Sequence, residues 1–393
     1  MHQQNMCIVC KSKELTDLLN IVDIPVQCNR QWSKREEAIQ APKGDIHLTF
    51  CRNCGHIFNT AYNPDLMAYT HNYENSLHFS PRFQDYAANL AARLVNDYEL
   101  YNKDIIEIGC GQGDFLRMMC HLGNNRGTGF DPSFVPKPEN PSLDNNITII
   151  QDYFSDRYSA HHADLIYSRH VLEHIQFPQS FITDLRRSIE TRLDTIIFFE
   201  VPNVLYTIKD LGIWDIIYEH TSYFSPDSLL YLFRANGFKI LKQTTEFEGQ
   251  FLCVDAVPHE DHSLPTEDPS LVTTELISLV ADFSTKYREK LTYWRSYLRK
   301  LREGGQRVVV WGGGSKGVTF LNALQNKSQI EYVVDINPRK QGKYVAGTGQ
   351  KIIRPSFLQD YQPDIVLVMN HNYFHEIQQS LAELDVRAQL LQL

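Results

Sequence analysis

Short apolar runs recur through the middle of the chain: "DIIEIG" from Asp104, "GTGF" from Gly127, "ITIIQ" from Ile147, "ADLIYS" from Ala163 and "DTIIFFEVP" from Asp194. Between the first two lies "DFLRMMCHL", whose apolar positions fall at helical spacing. Strand-length runs alternating with helices predict a parallel sheet covered on both faces. Two later runs, "FKILKQTTEF" and "FLCVDAV", have no helix between them and predict an antiparallel pair at one edge. Ahead of the alternation, "FQDYAANLAARLVNDYELY" from Phe83 is Ala-rich and helical in period. Before that, "AYNPDLMAYTHNYENSLHFSPRF" has no period and predicts an aromatic loop.

The acidic, Pro-rich stretch "PHEDHSLPTEDPSL" breaks the pattern at Pro258. A long amphipathic helix is predicted over 273–303, with Leu276, Val280, Phe283, Tyr287, Leu291 and Leu298 along one face. A second alternation follows in "RVVVWGGGSKG", "IEYVVDINP" and "DIVLVMN". The chain therefore divides into an N-terminal module (1–62), a central α/β domain (63–258, opening with the tyrosine-rich segment 62–80), a linker and helix (259–304) and a smaller C-terminal Rossmann-like domain (305–393).

With 393 residues, 42% apolar and 22% charged, the composition is that of a globular protein of two or three domains. A net charge of −9 without clustered Lys and Arg argues against a nucleic-acid partner. Neither a membrane span nor a signal peptide is legible, so a cytoplasmic protein, monomeric or a small homo-oligomer, is expected.

Four of the eight cysteines form two C-x-x-C knuckles, Cys7 with Cys10 and Cys51 with Cys54. Two such knuckles complete a tetrahedral thiolate site for zinc, with no open position and hence a structural role. An inserted hairpin or strand pair is expected between them.

The turn in "DIIEIGCGQGDFL" carries Gly109, Gly111 and Gly113 between a strand and a helix, where backbone can approach a ligand closely. Asp131, ending the next strand, is placed to accept hydrogen bonds from ribose. A dinucleotide fingerprint competes for this pattern, but the spacing is G-x-G-x-G, and Glu107 precedes the first glycine. The H-x-x-E-H pattern His170, Glu173, His174 admits a metalloprotease reading, disfavoured by its place after a sheet strand. In "WDIIYEHTSYFSP", Glu219 and His220 interrupt an otherwise apolar segment, where burial shifts pKa values or demands partners.

"EIGCGQG" resembles motif I of class I S-adenosylmethionine-dependent methyltransferases. That resemblance implies that the glycine turn holds the methionine part of the cofactor and Asp131 its ribose. It also implies that Asp152 and Tyr153 lie near adenine and that "YSRHVLEHI", with His170 and His174, lies beside the transferring methyl. Taken with the zinc module and "VVDINPRKQGKYVAGTGQKI", the chain resembles the sugar C-methyltransferases of deoxysugar biosynthesis. The implied substrate is a nucleotide-linked 4-keto sugar, with candidate contacts at Tyr69, Tyr73, Ser76, Tyr218, Tyr223 and Lys316. The family's Ile-Tyr-His-Glu-His appears here as Ile216-Ile217-Tyr218-Glu219-His220, so a phenol of the family's site is replaced by Ile217. C-methylation needs a base, and His220 is the candidate, with Glu219 orienting it or binding substrate and His174 donating to an enolate oxygen. O- or N-methylation, or cofactor binding without chemistry, stay open as alternatives.

Overall fold

The computed structural model describes residues 5–67, 73–135, 145–158, 161–260, 272–324 and 330–393. Strands β1 (Leu15–Pro25), β2 (Lys43–Cys51) and β3 (Ile57–Asn59) pair antiparallel, so β1 and β2 fill the gap between the two cysteine knuckles. The central alternation forms β4 (Asp104–Ile108), β5 (Arg126–Phe130), β6 (Ile147–Ile150), β7 (Leu165–Arg169) and β8 (Ile196–Pro202), all parallel. Then come β9 (Ser222–Tyr223), β10 (Phe238–Glu246) and β11 (Phe251–Pro258). The last two pair antiparallel, and β11 also lies antiparallel to β8, which gives the order β10-β11-β8-β7-β4-β5-β6. The edge strand β10 is mostly exposed or half-buried, whereas β7 and most of β4 are buried, as an inner strand covered on both faces requires.

One feature departs from the sequence-based division. β9 pairs with β3, so the N-terminal sheet takes in residues well beyond 62. A C-terminal sheet of five parallel strands, β12 (Val308–Trp311), β13 (Tyr332–Val334), β14 (Lys351–Ile353), β15 (Ile365–Val368) and β16 (Gln389–Gln392), has the order β14-β13-β12-β15-β16.

The helix Pro81–Asp97 starts where its sequence says it should: Ser80 accepts from the Phe83 N–H, and Pro81, which has no N–H to satisfy, follows. The helix Thr274–Glu303, capped by Thr273, buries the predicted stripe together with Trp294 and Leu301. That stripe belongs to a core cluster that includes Ile46 and Phe50 of β2, Trp214 and Ile217 before β9, and Val308 and Val310 of β12. Trp214 and Trp294 both meet Phe320 edge-on, at 4.9 and 5.9 Å. One apolar mass thus holds the N-terminal sheet, the 204–218 loop and the C-terminal sheet around a common cleft. Phe283→Ala should lower the unfolding free energy by about 3–5 kcal/mol in urea denaturation followed by circular dichroism. Truncating the half-exposed Lys286 one turn later should change it by less than about 0.5 kcal/mol.

Candidate active site

The four cysteine sulfurs converge, with Cys7 and Cys54 Sγ atoms 3.6 Å apart and those of Cys10 and Cys51 3.5 Å apart. Zinc–sulfur bonds of about 2.3 Å at tetrahedral angles set an edge of about 3.8 Å, so the sulfurs fit zinc closely. A disulfide would bring two of them to about 2.05 Å.

In the central domain, β4 leads into the glycine turn and the helix Asp114–Gly123. Gly109, Gly111 and Gly113 have φ of +76°, +55° and +78°, a region that favours glycine. A Cβ on Gly109 would stand 2.2 Å from Val171, whereas one on Gly111 would meet nothing within 4 Å. The turn is closed on the loop after β7 and open above Gly111, which is the cradle a cofactor requires. The Gly111 N–H donates to Asp131 Oδ2 (2.8 Å), and the Ser133 N–H to Oδ1 (2.8 Å), which brings the ribose-binding candidate onto the turn. Glu107 lies within the sheet, where burial pushes its carboxyl up to about 8 and the Tyr167 phenol donates to it. Asp152, two residues beyond β6, is engaged by the Tyr158 phenol and Arg157, while Tyr153 is 65% exposed. The donor set fits S-adenosylmethionine through the glycine turn and Asp131.

Around the cleft of about 290 Å³ stand Tyr73, Ser76, His170, Glu173, His174, Ile217, His220 and Lys316. Tyr69 lies outside the described residues. "HVLEH" is not one helix face: only Leu172–His174 turns, as a single 3₁₀ turn, and His170 has φ +56°. This separates the two histidines. His170 Nε2 lies 2.7 Å from Glu200, and its ring packs on Phe251 with centroids 4.5 Å apart. Glu200 also accepts two bonds from Arg169 and one from the Tyr86 phenol. Burial opposes its charge, but Arg169, His170 and Tyr86 outweigh burial and hold its carboxyl at about 2.

Glu173, His174 and His220 bring one carboxylate oxygen and two ring nitrogens within 4.8 Å of one another. His174 Nδ1 is 2.9 Å from the Glu219 carbonyl oxygen, and Thr221 bonds the carbonyls of Glu173 and Ile175, so the two loops are laced together. Burial lowers His174 to about 4 and lowers His220 well below its ordinary value, with His174, His170 and Lys316 adding to the effect on His220. Both imidazoles are neutral near pH 7. A carbonyl only accepts, so His174 carries its hydrogen on Nδ1 and a lone pair on Nε2. The expected donation from His174 to an enolate oxygen is not met by this tautomer.

Three further expectations need correction. The Glu219 carboxylate does not orient His220: it accepts from the Cys28 N–H and the Tyr73 phenol, each at 3.1 Å, and burial raises it to about 7. The Tyr218 phenol bonds the backbone of Asn63, and its ring packs on Gly44, away from the cleft. The Tyr223 phenol closes the loop on the N–H and carbonyl of Ile217. Lys316 pairs with Asp215 at the cleft wall. Sequence reasoning missed Glu200, although an acid within "FFEVP" is the same anomaly that singles out Glu219. It gave Glu173 no role beyond the metal pattern.

Residues 79–243 match the methyltransferase domain family, and residues 267–389 match the C-methyltransferase C-terminal domain family. The C-methyltransferase NovU of Streptomyces niveus is 28% identical over 225 residues, which cover 55% of this chain and 53% of that protein; the chain thus spans about half the length of this curated relative. Among solved structures, an S-adenosylmethionine-dependent methyltransferase of Mesorhizobium loti is 18% identical, covering 44% of this chain and 99% of its own, with a TM-score of 0.35. Magnesium protoporphyrin IX methyltransferase of Synechocystis PCC 6803 is also 18% identical, covering 45% and 84%, with a TM-score of 0.35.

Zinc should be present at one atom per chain by mass spectrometry of the purified protein. Cys51→Ser should remove it and lower the melting temperature, while Cys120→Ala, in the core away from the cluster, should leave the metal in place.

Proposed function

From the matches of residues 79–243 to a methyltransferase domain and of residues 267–389 to a C-methyltransferase C-terminal domain, we propose that the chain is an S-adenosylmethionine-dependent C-methyltransferase that methylates a carbon next to a carbonyl in a small metabolite. The substrate class we favour is a nucleotide-linked 4-keto deoxysugar. The observation that carries the reaction type is His220: an imidazole kept neutral by burial on the wall of a cleft that is also lined by His170, whose neighbour Val171 packs on the glycine turn. When bound, S-adenosylmethionine supplies an electrophilic methyl group. The substrate supplies the nucleophile, and its carbon becomes one only after losing a proton. His220 takes that proton, a contribution of about 10²–10⁴-fold for a positioned base. Tyr73 and Ser76 from the tyrosine-rich segment and Lys316 from the C-terminal domain hold the substrate between domains, which fixes its orientation towards the donor. Ile217 offers an apolar surface where the family presents a phenol, and this favours a substrate with no hydroxyl at that point. The zinc site is structural, and its thiolates suit a reducing cytosol.

The test is a screen for cofactor-dependent gain of one CH₂ across nucleotide-linked keto sugars and related metabolites, read by mass spectrometry. Product from one of these sugars, with the new methyl on carbon, is expected. No product from any nucleotide sugar would remove the substrate class. His220→Asn should lower turnover by about 10²–10⁴-fold while leaving cofactor binding in calorimetry unchanged. An O- or N-methyltransferase, whose nucleophile needs no such base, should keep much of its rate.

A further inference from the structure

Glu173 is 2% exposed, lines the cleft, and has an oxygen, Oε2, with no partner. Its other oxygen is 3.8 Å from His170 Nδ1. Beside it stand His174, whose Nε2 carries a lone pair, and His220, whose lone pair is needed for proton abstraction. A carboxylate beside the lone pair on His174 Nε2 is repelled by it. A carboxylic acid in the same place has one O–H to give, and no hydrogen bond occupies Oε2. We propose that Glu173 acts as a neutral carboxylic acid that donates a hydrogen bond to the oxygen of the enolate formed from the substrate. This rests on the C-methylation reading above and adds to it the group that stabilises the charge.

The groups facing Glu173 are His170 and His174 from its own loop, His220 from the loop before β9, and Glu200 from β8. Burial pushes the Glu173 carboxyl up to about 7 against a smaller opposing pull from His170, and the Glu200 anion adds a lesser push in the same direction as burial. The step balances within substrate and chain. His220 takes the proton from carbon, the C–H electron pair becomes the new carbon–carbon π bond, and the carbonyl π pair becomes a lone pair on oxygen. Glu173 keeps its proton and shares it with that oxygen. The principle is that of a buried acid held neutral so that it can donate.

Infrared difference spectra of wild type and Glu173→Gln at pH 6 test the protonation state without any substrate. A carbonyl stretch of a protonated acid, lost in the variant and fading in wild type as pH rises through about 7, is expected. Absence of that band overturns the proposal. In turnover, Glu173→Ala should lower kcat by roughly 10²–10³-fold with little change in KM, and Glu173→Gln, which keeps a donor, should recover most of it. The alkaline fall in kcat/KM near pH 7 should be missing from Glu173→Gln. Equal loss in both variants, or an unchanged pH profile, overturns the proposal. Two zinc atoms per chain in wild type and one in Glu173→Gln would assign the cluster to a metal instead. A wild type that methylates no carbon defeats the C-methylation reading, while the infrared result still decides whether Glu173 is neutral.

Discussion

The parallel pairing of β4 with β5 on one side and β7 on the other governs what this molecule can hold. The chain leaves β4 for β5 and β6, then returns to β7 across the starting strand. At such a switch point the loops beyond the strand ends part and leave a crevice. The glycine turn after β4 and the His170–His174 loop after β7 are therefore neighbours although sixty residues apart in the chain, and Val171 packs against Gly109 where they meet.

Removal from water sets the ionisation of the buried groups at 173, 174, 219 and 220. Burial raises Glu173 and Glu219 to about 7 and lowers His174 and His220, so that near pH 7 the imidazoles are neutral and the acids are close to their midpoint. Glu200 is the exception, because Arg169, His170 and Tyr86 surround it with donors and positive charge. A fixed anion at Glu200 and an acid poised at Glu173 divide two carboxyl groups between two tasks. Environment makes that division, since the residue type is the same.

The parts of the fold and cleft that were legible in the chain were those with local signals. C-x-x-C spacing, glycines in a strand–turn–helix, apolar periods and Ser or Thr before a helix each report on a few neighbouring residues. The roles of Glu219, Tyr218 and Tyr223 were not legible, because each depends on a partner elsewhere. Glu219 and His220 are adjacent in sequence, yet the carboxylate turns to Cys28 and Tyr73 while the imidazole faces the cleft. Tyr218 finds Asn63, and Tyr223 folds back on Ile217.

From residue order alone came the class of fold, the cysteine cluster, the glycine turn with Asp131, and the polar pair in an apolar run, because each is written in spacing along one segment. Tertiary packing decided which way each polar group faces, which tautomer His174 adopts and which acids burial raises. Those properties belong to contacts between the loops at 170–174 and 217–221, to Glu200 on β8 and to the segment around Cys28. No single stretch of chain contains them, since a proton's position is set by the groups that surround it in space.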